Sequence, residues 1–382
     1  MRIAVTGLGA VTGFGRGVDV LWRGLVDGRR ATAIRPELGS LAHVGPVALV
    51  PELVWGEATA ARAETISRWA AEEALADAGV EGASTSLCYG TTKGGIAPFL
   101  ELVRDAAHLP FDPPARATYA GPALALATAL GVRHVEVASA ACVSSNVALG
   151  TALDLLRSGE ATCVLAGGGD ALSDFVISGF ASLKALDPAP SRPFDGARRG
   201  LNLGEGAAFL VLEREDTARA RGARVRAWLE GYGLSADAVH MTGPDRQGRG
   251  AARAMTAALA EAHLRPEQID FISAHGTGTV FNDLMEDKAI ALTFGARAIP
   301  LHSIKGAIGH TLGGSAALEA IVTVLALETG LVPPTAGYEH RDAEISLDVV
   351  AGAPRPLALQ HAISTSSGFG GTNAAIVLSR AT

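Results

Sequence analysis

The strongest constraint on this chain is an alternation. Short runs rich in Val, Ile and Ala recur between longer segments whose apolar residues fall at helical spacing. The runs are Arg2 to Thr6, Ser86 to Tyr89, His134 to Ala138, Thr162 to Ala166, Asp270 to Ala274 and Ile299 to His302; the helical segments are Thr65 to Ala78, Ser144 to Ser158, Gly250 to His263 and Gly314 to Thr329. Glycine or proline often marks a segment's end, as at helix boundaries. Strands alternating with helices predict an α/β fold. The helix after Cys142 is apolar nearly all round, which predicts burial.

The charged stretch Glu213 to Arg226, EREDTARARGARVR, follows the strand-like GAAFLVLE and predicts a seam near Gly231, dividing the chain into residues 1–231 and 232–382. Each half then holds a strand leading into a turn of small and reactive residues, SAAC in the first and SAHGTGT in the second, a pattern pointing to internal duplication. With 382 residues, 48% hydrophobic and 19% charged, the chain can bury a large core. Its formal charge of -7 argues against a nucleic-acid or anionic-membrane partner. The start, MRIAVTGLGAVTGFG, offers glycines in place of a long apolar run, so neither a signal peptide nor a membrane span is expected there and a cytoplasmic location is. Cys88, Cys142 and Cys163 are odd in number and lack metal-ligand spacing, which predicts reduced thiols and no metal site.

Chemistry concentrates at strand ends. In VEVASAACVSSNVALGTALDLL, Cys142 follows a β-type run and opens an apolar helix, a strand–turn–helix setting for a nucleophile. A helix N-terminus stabilises thiolate, so a thiol pKa lowered from about 8.5 by a unit or more is expected. Cys88 and Cys163 lie inside apolar strand patterns and read as buried core residues. His275 in FISAHGTGTVFND and His310 in HSIKGAIGHTLGGSAALEA stand where strands give way to loops, the usual place for α/β active sites. His240, His263, His340 and His361 read as structural or surface residues. The turn SGFGGTN is followed by strand-like NAAIVLS, not a helix, so a phosphate loop is excluded there.

In this order along the chain, SAACVSSNVALG, AHGTGTVFND, SIKGAIGHTLGGSAALEA and SGFGGTN resemble the β-ketoacyl-acyl-carrier-protein synthase (ketosynthase) family of the thiolase superfamily. VTGLGAVTGFG and SRPFDGARRGLNLGEGAAFLVLE extend the resemblance over nearly the whole chain. It implies a thiolase-like fold, with two similar halves giving a layered αβαβα sandwich. It implies an acyltransferase, a 3-oxoacyl-[acyl-carrier-protein] synthase: Cys142 accepts the acyl group, and His275 and His310 promote decarboxylation of a malonyl unit. Lys305 and Glu319 match the family's buried pair that orders the site, and Asp283 and Glu286 match supporting positions. The backbone N–H groups of Cys142 and Phe369 match the oxyanion hole. Phe369 matches a gating aromatic, the glycines around it, Gly370 included, let backbone approach substrate, and Thr277 and Thr279 offer hydroxyls to the pantetheine arm. No metal or redox cofactor is implied, because substrates arrive on the phosphopantetheine arm of acyl carrier protein. The implied partners are that carrier and a second subunit, in a homodimer or in a heterodimer with another ketosynthase-like chain. Arg198, Arg199 and Lys184 are expected to be exposed and to draw the acidic carrier.

The chain departs from that pattern between Leu100 and Val135, which is shorter than in most relatives, at GTTKGG (Gly90 to Gly95), and at the AAC before the nucleophile, where many relatives have a threonine. These departures imply a specialised branch, making polyene or polyketide chains. A competing reading is the non-catalytic chain-length-factor type of partner, which usually lacks the nucleophile. A coenzyme-A-dependent thiolase would carry a second cysteine near the C-terminus, and none follows Cys163.

Overall fold

The computed structural model describes residues 1–56, 61–105 and 114–381. The main sheet contains β1 (Ile3–Thr12), β2 (Ser86–Gly90), β3 (Val135–Ala138), β4 (Cys163–Asp170), β5 (Gly206–Arg214), β6 (Ala227–Ala236), β7 (Phe271–Ser273), β8 (Pro300–His302), β9 (Asp348–Val349), β10 (His361–Gly368) and β11 (Thr372–Arg380). A short strand, Gly15–Arg16, turns back on β1. The helices that position the site are α1 (Arg62–Ala78), α2 (Ser144–Ser158), α3 (Arg249–Glu261), α4 (Val280–Phe294) and α5 (Ser315–Thr329).

The strands form one hydrogen-bonded path, β9-β8-β7-β10-β11-β6-β1-β5-β4-β2-β3. It divides at the antiparallel pair β1–β6, where Ile3 faces Leu229 and Val5 faces Ala227. Outward from this pair, the first half reads β1, β5, β4, β2, β3 and the second reads β6, β11, β10, β7, β8; in both, two antiparallel pairings precede two parallel ones. The duplication outlined by the two turn motifs is thus explicit in the pairing. Gly231, where the seam was placed, lies inside β6 opposite Val377.

The layering follows from which helices touch which strands. Helix α1 covers β1, β5 and β4 on one outer face, while α3 covers β6, β11 and β10 on the other, with α4 against it. Helices α2 and α5 touch each other and strands of both halves, which makes them the middle layer of an αβαβα sandwich. Every residue of α5 from Ser315 to Leu327 is buried, so it has no polar face to show. The stretch Leu312–Thr329 is apolar enough to cross a membrane, with a mean hydropathy of 1.4, yet 89% of it is buried inside the protein. It is a core helix.

Strand β1 runs six residues past the expected end at Thr6 because its glycines are not turn signals. A Cβ on Gly9 would lie 1.9 Å from the Ala70 carbonyl oxygen, so the glycine is what lets α1 lie directly on the strand. The shortened stretch before Val135 contains the helices Ile96–Asp105 and Gly121–Leu130, and its residues 106–113 lie outside the described residues.

Candidate active site

Cys142 sits in the turn between β3 and α2. Ala141 just before it holds a left-handed backbone with φ 50°, a strained conformation for a residue with a Cβ. The Ser144 hydroxyl fixes that turn: it accepts from the Ala140 N–H at 3.0 Å and lies 2.6 Å from the Ala141 carbonyl oxygen. The thiol is 7% exposed. Burial pushes its pKa up to about 11, against the opposing pull of the Lys305 charge and an N–H from Phe369. The expected lowering therefore does not occur. A helix end is worth about 0.3–1 kcal/mol to an anion, less than the desolvation of a thiolate removed from water. Cys88 and Cys163, inside β2 and β4, are pushed up to about 12 by the same cause.

The turn Gly368–Thr372 joins β10 to β11 as a hairpin. A Cβ on Gly368 would stand 3.2 Å from the Cys142 nitrogen and 2.8 Å from the Thr372 hydroxyl, so the turn packs tightly over the cysteine. The Phe369 N–H then meets the Cys142 sulfur, and the Phe369 ring, 37% exposed, stacks on Phe180 with centroids 5.8 Å apart. The Gly370 N–H is occupied, donating to the Met241 carbonyl at 2.8 Å.

His275 follows β7, and His310 follows β8; both are buried, their rings edge to face with centroids 5.4 Å apart. Their tautomers follow from their partners. The Lys305 ammonium, which can only donate, lies 3.2 Å from Nδ1 of His275 and also donates to the His275 carbonyl at 2.5 Å. The backbone N–H of Leu312 donates to Nδ1 of His310 at 3.1 Å, with the Ser315 hydroxyl 2.9 Å from the same nitrogen. Each Nδ1 is an acceptor, so each proton sits on Nε2. Nε2 of His310 is buried without a hydrogen-bond partner among the described residues. Burial, reinforced by the Lys305 charge, holds both imidazoles well below their ordinary pKa and therefore neutral.

Lys305 is itself buried and paired with Glu319, whose carboxyl burial pushes up to about 7. The other oxygen of Glu319 accepts from the Ser366 hydroxyl at 3.3 Å, and Ser366 accepts from the Asn146 amide at 3.1 Å. A buried hydrogen-bonded chain thus runs from α2, beside Cys142, to His275. Glu286 accepts from the N–H groups of His275 (2.8 Å) and Gly276 (2.6 Å), and Asp283 accepts from those of Thr277, Gly278 and Phe194. Two carboxylates on α4 therefore hold the AHGTGT turn by its backbone. Thr277 and Thr279 hydroxyls lie 2.8 Å from each other.

Arg198 corrects an expectation. It is 5% exposed, ion-paired to Asp342, with Nε 3.8 Å from Asp283, so it balances the carboxylate under the turn and is not open for docking. Arg199 and Lys184 are exposed. Asp170, at the end of β4, was not singled out from the sequence. It accepts from the Thr91 hydroxyl (2.6 Å), from the Thr92 N–H (2.8 Å) and hydroxyl (2.7 Å), and from the Gly313 N–H (2.8 Å), so one buried carboxylate ties the GTT turn to the loop carrying His310. Its only sequence signal was an acid ending a glycine-rich strand, AGGGD.

Cys142, His275, His310, Thr277, Thr279, Phe369 and Gly368 line one cavity of about 820 Å³. Its rim is built by residues between Asp237 and Gln247, a loop that carried no chemical motif in the sequence. Among the described residues no His, Cys, Asp or Glu group is arranged to hold a metal ion. A thiol able to carry an acyl group, facing a cavity with two neutral imidazole N–H donors, is the equipment of a condensing acyltransferase.

Comparison with known proteins agrees. The chain belongs to the β-ketoacyl synthase family: the N-terminal domain of that family matches residues 57–218 and the C-terminal domain residues 226–339. It is 34% identical over 413 residues to 3-oxoacyl-[acyl-carrier-protein] synthase 2 of Synechocystis, covering 99% of this chain and 98% of that protein. Two solved structures share the fold throughout. The ishigamide ketosynthase/chain length factor superposes with a TM-score of 0.91 at 34% identity, covering 100% of this chain and 99% of that one. A type II polyketide acyl-carrier protein in complex with its ketosynthase bound to the hexaketide gives 0.90 at 28% identity, with coverage of 100% and 99%.

Proposed function

We propose that this chain catalyses decarboxylative condensation between an acyl group held on Cys142 and a malonyl group on acyl carrier protein, giving a 3-oxoacyl carrier protein. The observation that carries this reading is the fixed tautomer pair: both Nδ1 atoms are engaged as acceptors, leaving two Nε2–H donors in the cavity that Cys142 shares.

In the first half-reaction the Cys142 sulfur attacks a carrier-bound acyl thioester. The S–C bond to Cys142 forms, the S–C bond to the carrier breaks, and the thiol proton leaves with the carrier sulfur. Because burial keeps the thiol protonated at rest, that proton must depart as the sulfur attacks. The N–H groups of Cys142 and Phe369 are the proposed donors to the tetrahedral oxyanion, and the Phe369 N–H beside the sulfur supports that role.

In the second half-reaction the C–C bond of the malonyl carboxylate breaks and carbon dioxide departs. The electron pair passes into the thioester as an enolate, whose oxygen takes hydrogen bonds from Nε2–H of His275 and of His310. Neutral donors suit this role, since they stabilise the anion without protonating the carbon that must react. The enolate carbon attacks the acyl–Cys142 carbonyl, the C–S bond breaks, and the cysteine sulfur leaves and takes a proton from solvent. A thiol at 142 and both imidazoles favour this over a non-catalytic partner. The ketosynthase/chain length factor pair among the solved structures supports assembly with a second subunit.

Purified protein given acyl- and malonyl-carrier proteins is expected to release carbon dioxide and form the 3-oxoacyl product, with an acyl adduct on the Cys142 peptide in intact-mass spectra. No adduct with any primed carrier would overturn the reading.

A further inference from the structure

The wall of the cavity rises in one chain segment from its floor to its mouth. His275 and Thr277 are 2% and 4% exposed, Thr279 is half-buried, and Val280 and Phe281 reach 41% and 54%. Six residues of extended chain span at most about 20 Å, so Phe281 stands within that distance of the imidazole floor. Over the Phe281 ring, 4.5 Å from its centroid, sits the guanidinium of Arg246. Lys288 donates to the Arg246 carbonyl at 3.0 Å and so fixes its backbone.

Three observations distinguish Arg246 from an ordinary surface cation. It has no carboxylate partner among the described residues, while the two acids beside it are committed: Asp245 to Arg249, and Asp237 to the Asn373 amide and the Asp245 N–H. Lys184 and Arg199, the latter paired with Asp187, line the same cavity, so with Arg246 its cationic side chains outnumber the committed Asp237 and Asp245 although the protein as a whole carries a charge of -7. His240, on the same rim, accepts the Thr242 and Gly243 N–H groups at Nδ1, both at 3.1 Å, which puts its proton on Nε2.

We propose that Arg246, seated on Phe281, is the subsite for the phosphate of the phosphopantetheine arm, with the Nε2–H of His240 as a second donor. The assignment rests on the reading above, in which the acyl and malonyl groups arrive on that arm. Guanidinium presents paired donors to phosphate oxygens, and the aromatic ring holds it in place while leaving its edge free. The Thr277–Thr279 wall then runs beside the arm between phosphate and thioester.

The test compares three malonyl donors with the acyl-Cys142 protein: malonyl-carrier protein, malonyl-phosphopantetheine, and malonyl-pantetheine, which lacks the phosphate. In the native protein kcat/KM should be higher with malonyl-phosphopantetheine than with malonyl-pantetheine, and Arg246→Ala should reduce that preference about tenfold, mainly through KM. Arg246→Lys, which keeps the charge and loses the paired donors, should retain part of it. Arg297→Ala, at an exposed site away from the cavity, should keep the native preference. A preference left intact by Arg246→Ala overturns the assignment. So does a loss seen only with the carrier protein, which would place the guanidinium against the carrier's acidic surface. Failure of the native protein to condense any of the three donors would instead sink the proposed function.

Discussion

The two halves of this protein share a strand order and a pairing pattern, yet they deliver different chemistry from corresponding strand ends. After β3 the first half supplies Cys142; after β8, its counterpart, the second half supplies Lys305 and His310. After β2 stands the GTT turn held by Asp170, and after β7 stands His275 held by Glu286. After β4 a long connection runs to β5, whereas β10 turns directly into β11 through Phe369. A duplicated scaffold thus brings two sets of strand ends to one cavity. In the proposed reaction the first half holds the group that carries the acyl chain, and the second holds the donors for the malonyl unit.

This division of labour can be broken one half at a time. The largest effect is expected from Cys142→Ala, which should reduce condensation below detection because among the described residues no other thiol lines the cavity. Replacing His310 by Ala should lower carbon dioxide release by about 10²–10³-fold, the usual cost of losing one oxyanion donor, while acylation of Cys142 persists in intact-mass spectra. Lys305→Met tests the buried ion pair inside the second half. It leaves Glu319 buried without its cation and frees Nδ1 of His275, and urea unfolding should show a loss of about 3–5 kcal/mol.

A smaller effect is expected from Asp170→Asn, a positioning change that keeps the side-chain shape. It removes a negative charge that raises the Cys142 pKa, so alkylation of the thiol at fixed pH should speed up, while condensation slows several-fold more than carbon dioxide release. Both rates falling together would reduce Asp170 to a purely structural role. In the native protein the thiol titrates near 11, and the reactive thiolate is its deprotonated form. The alkylation rate should therefore rise about tenfold per pH unit from pH 7 to 10 without a plateau. A plateau beginning near pH 8 would show that the helix end outweighs burial.

Much of this is legible in the amino-acid sequence. Periodicity located α2 to the residue, because its ends are marked by the turn around Cys142 and by Gly159, and the strand after SGFGGTN was plain from alternation. What escaped was whatever depends on a third dimension. Gly7 and Gly9 read as a strand end, but they are where α1 meets β1. Arg198 reads as a surface cation beside Arg199, and only the approach of Asp342 and Asp283 shows why one of two adjacent arginines is buried. The thiol pKa was read from the helix end nearby, whereas enclosure by elements distant in sequence decides its sign. Ser315 and Asn146 lie inside the recognised motifs and Ser366 in the polar run STSS, but only the folded chain shows that Ser315 reaches His310 and that Asn146 and Ser366 reach Glu319.

The split between the halves is tested most directly by carbon dioxide release from malonyl-carrier protein by the Cys142→Ala variant. If the second half alone handles the malonyl unit, release continues at a rate comparable to the native protein while no 3-oxoacyl product forms. Loss of release in a folded Cys142→Ala protein would contradict that division and place the thiol in both half-reactions.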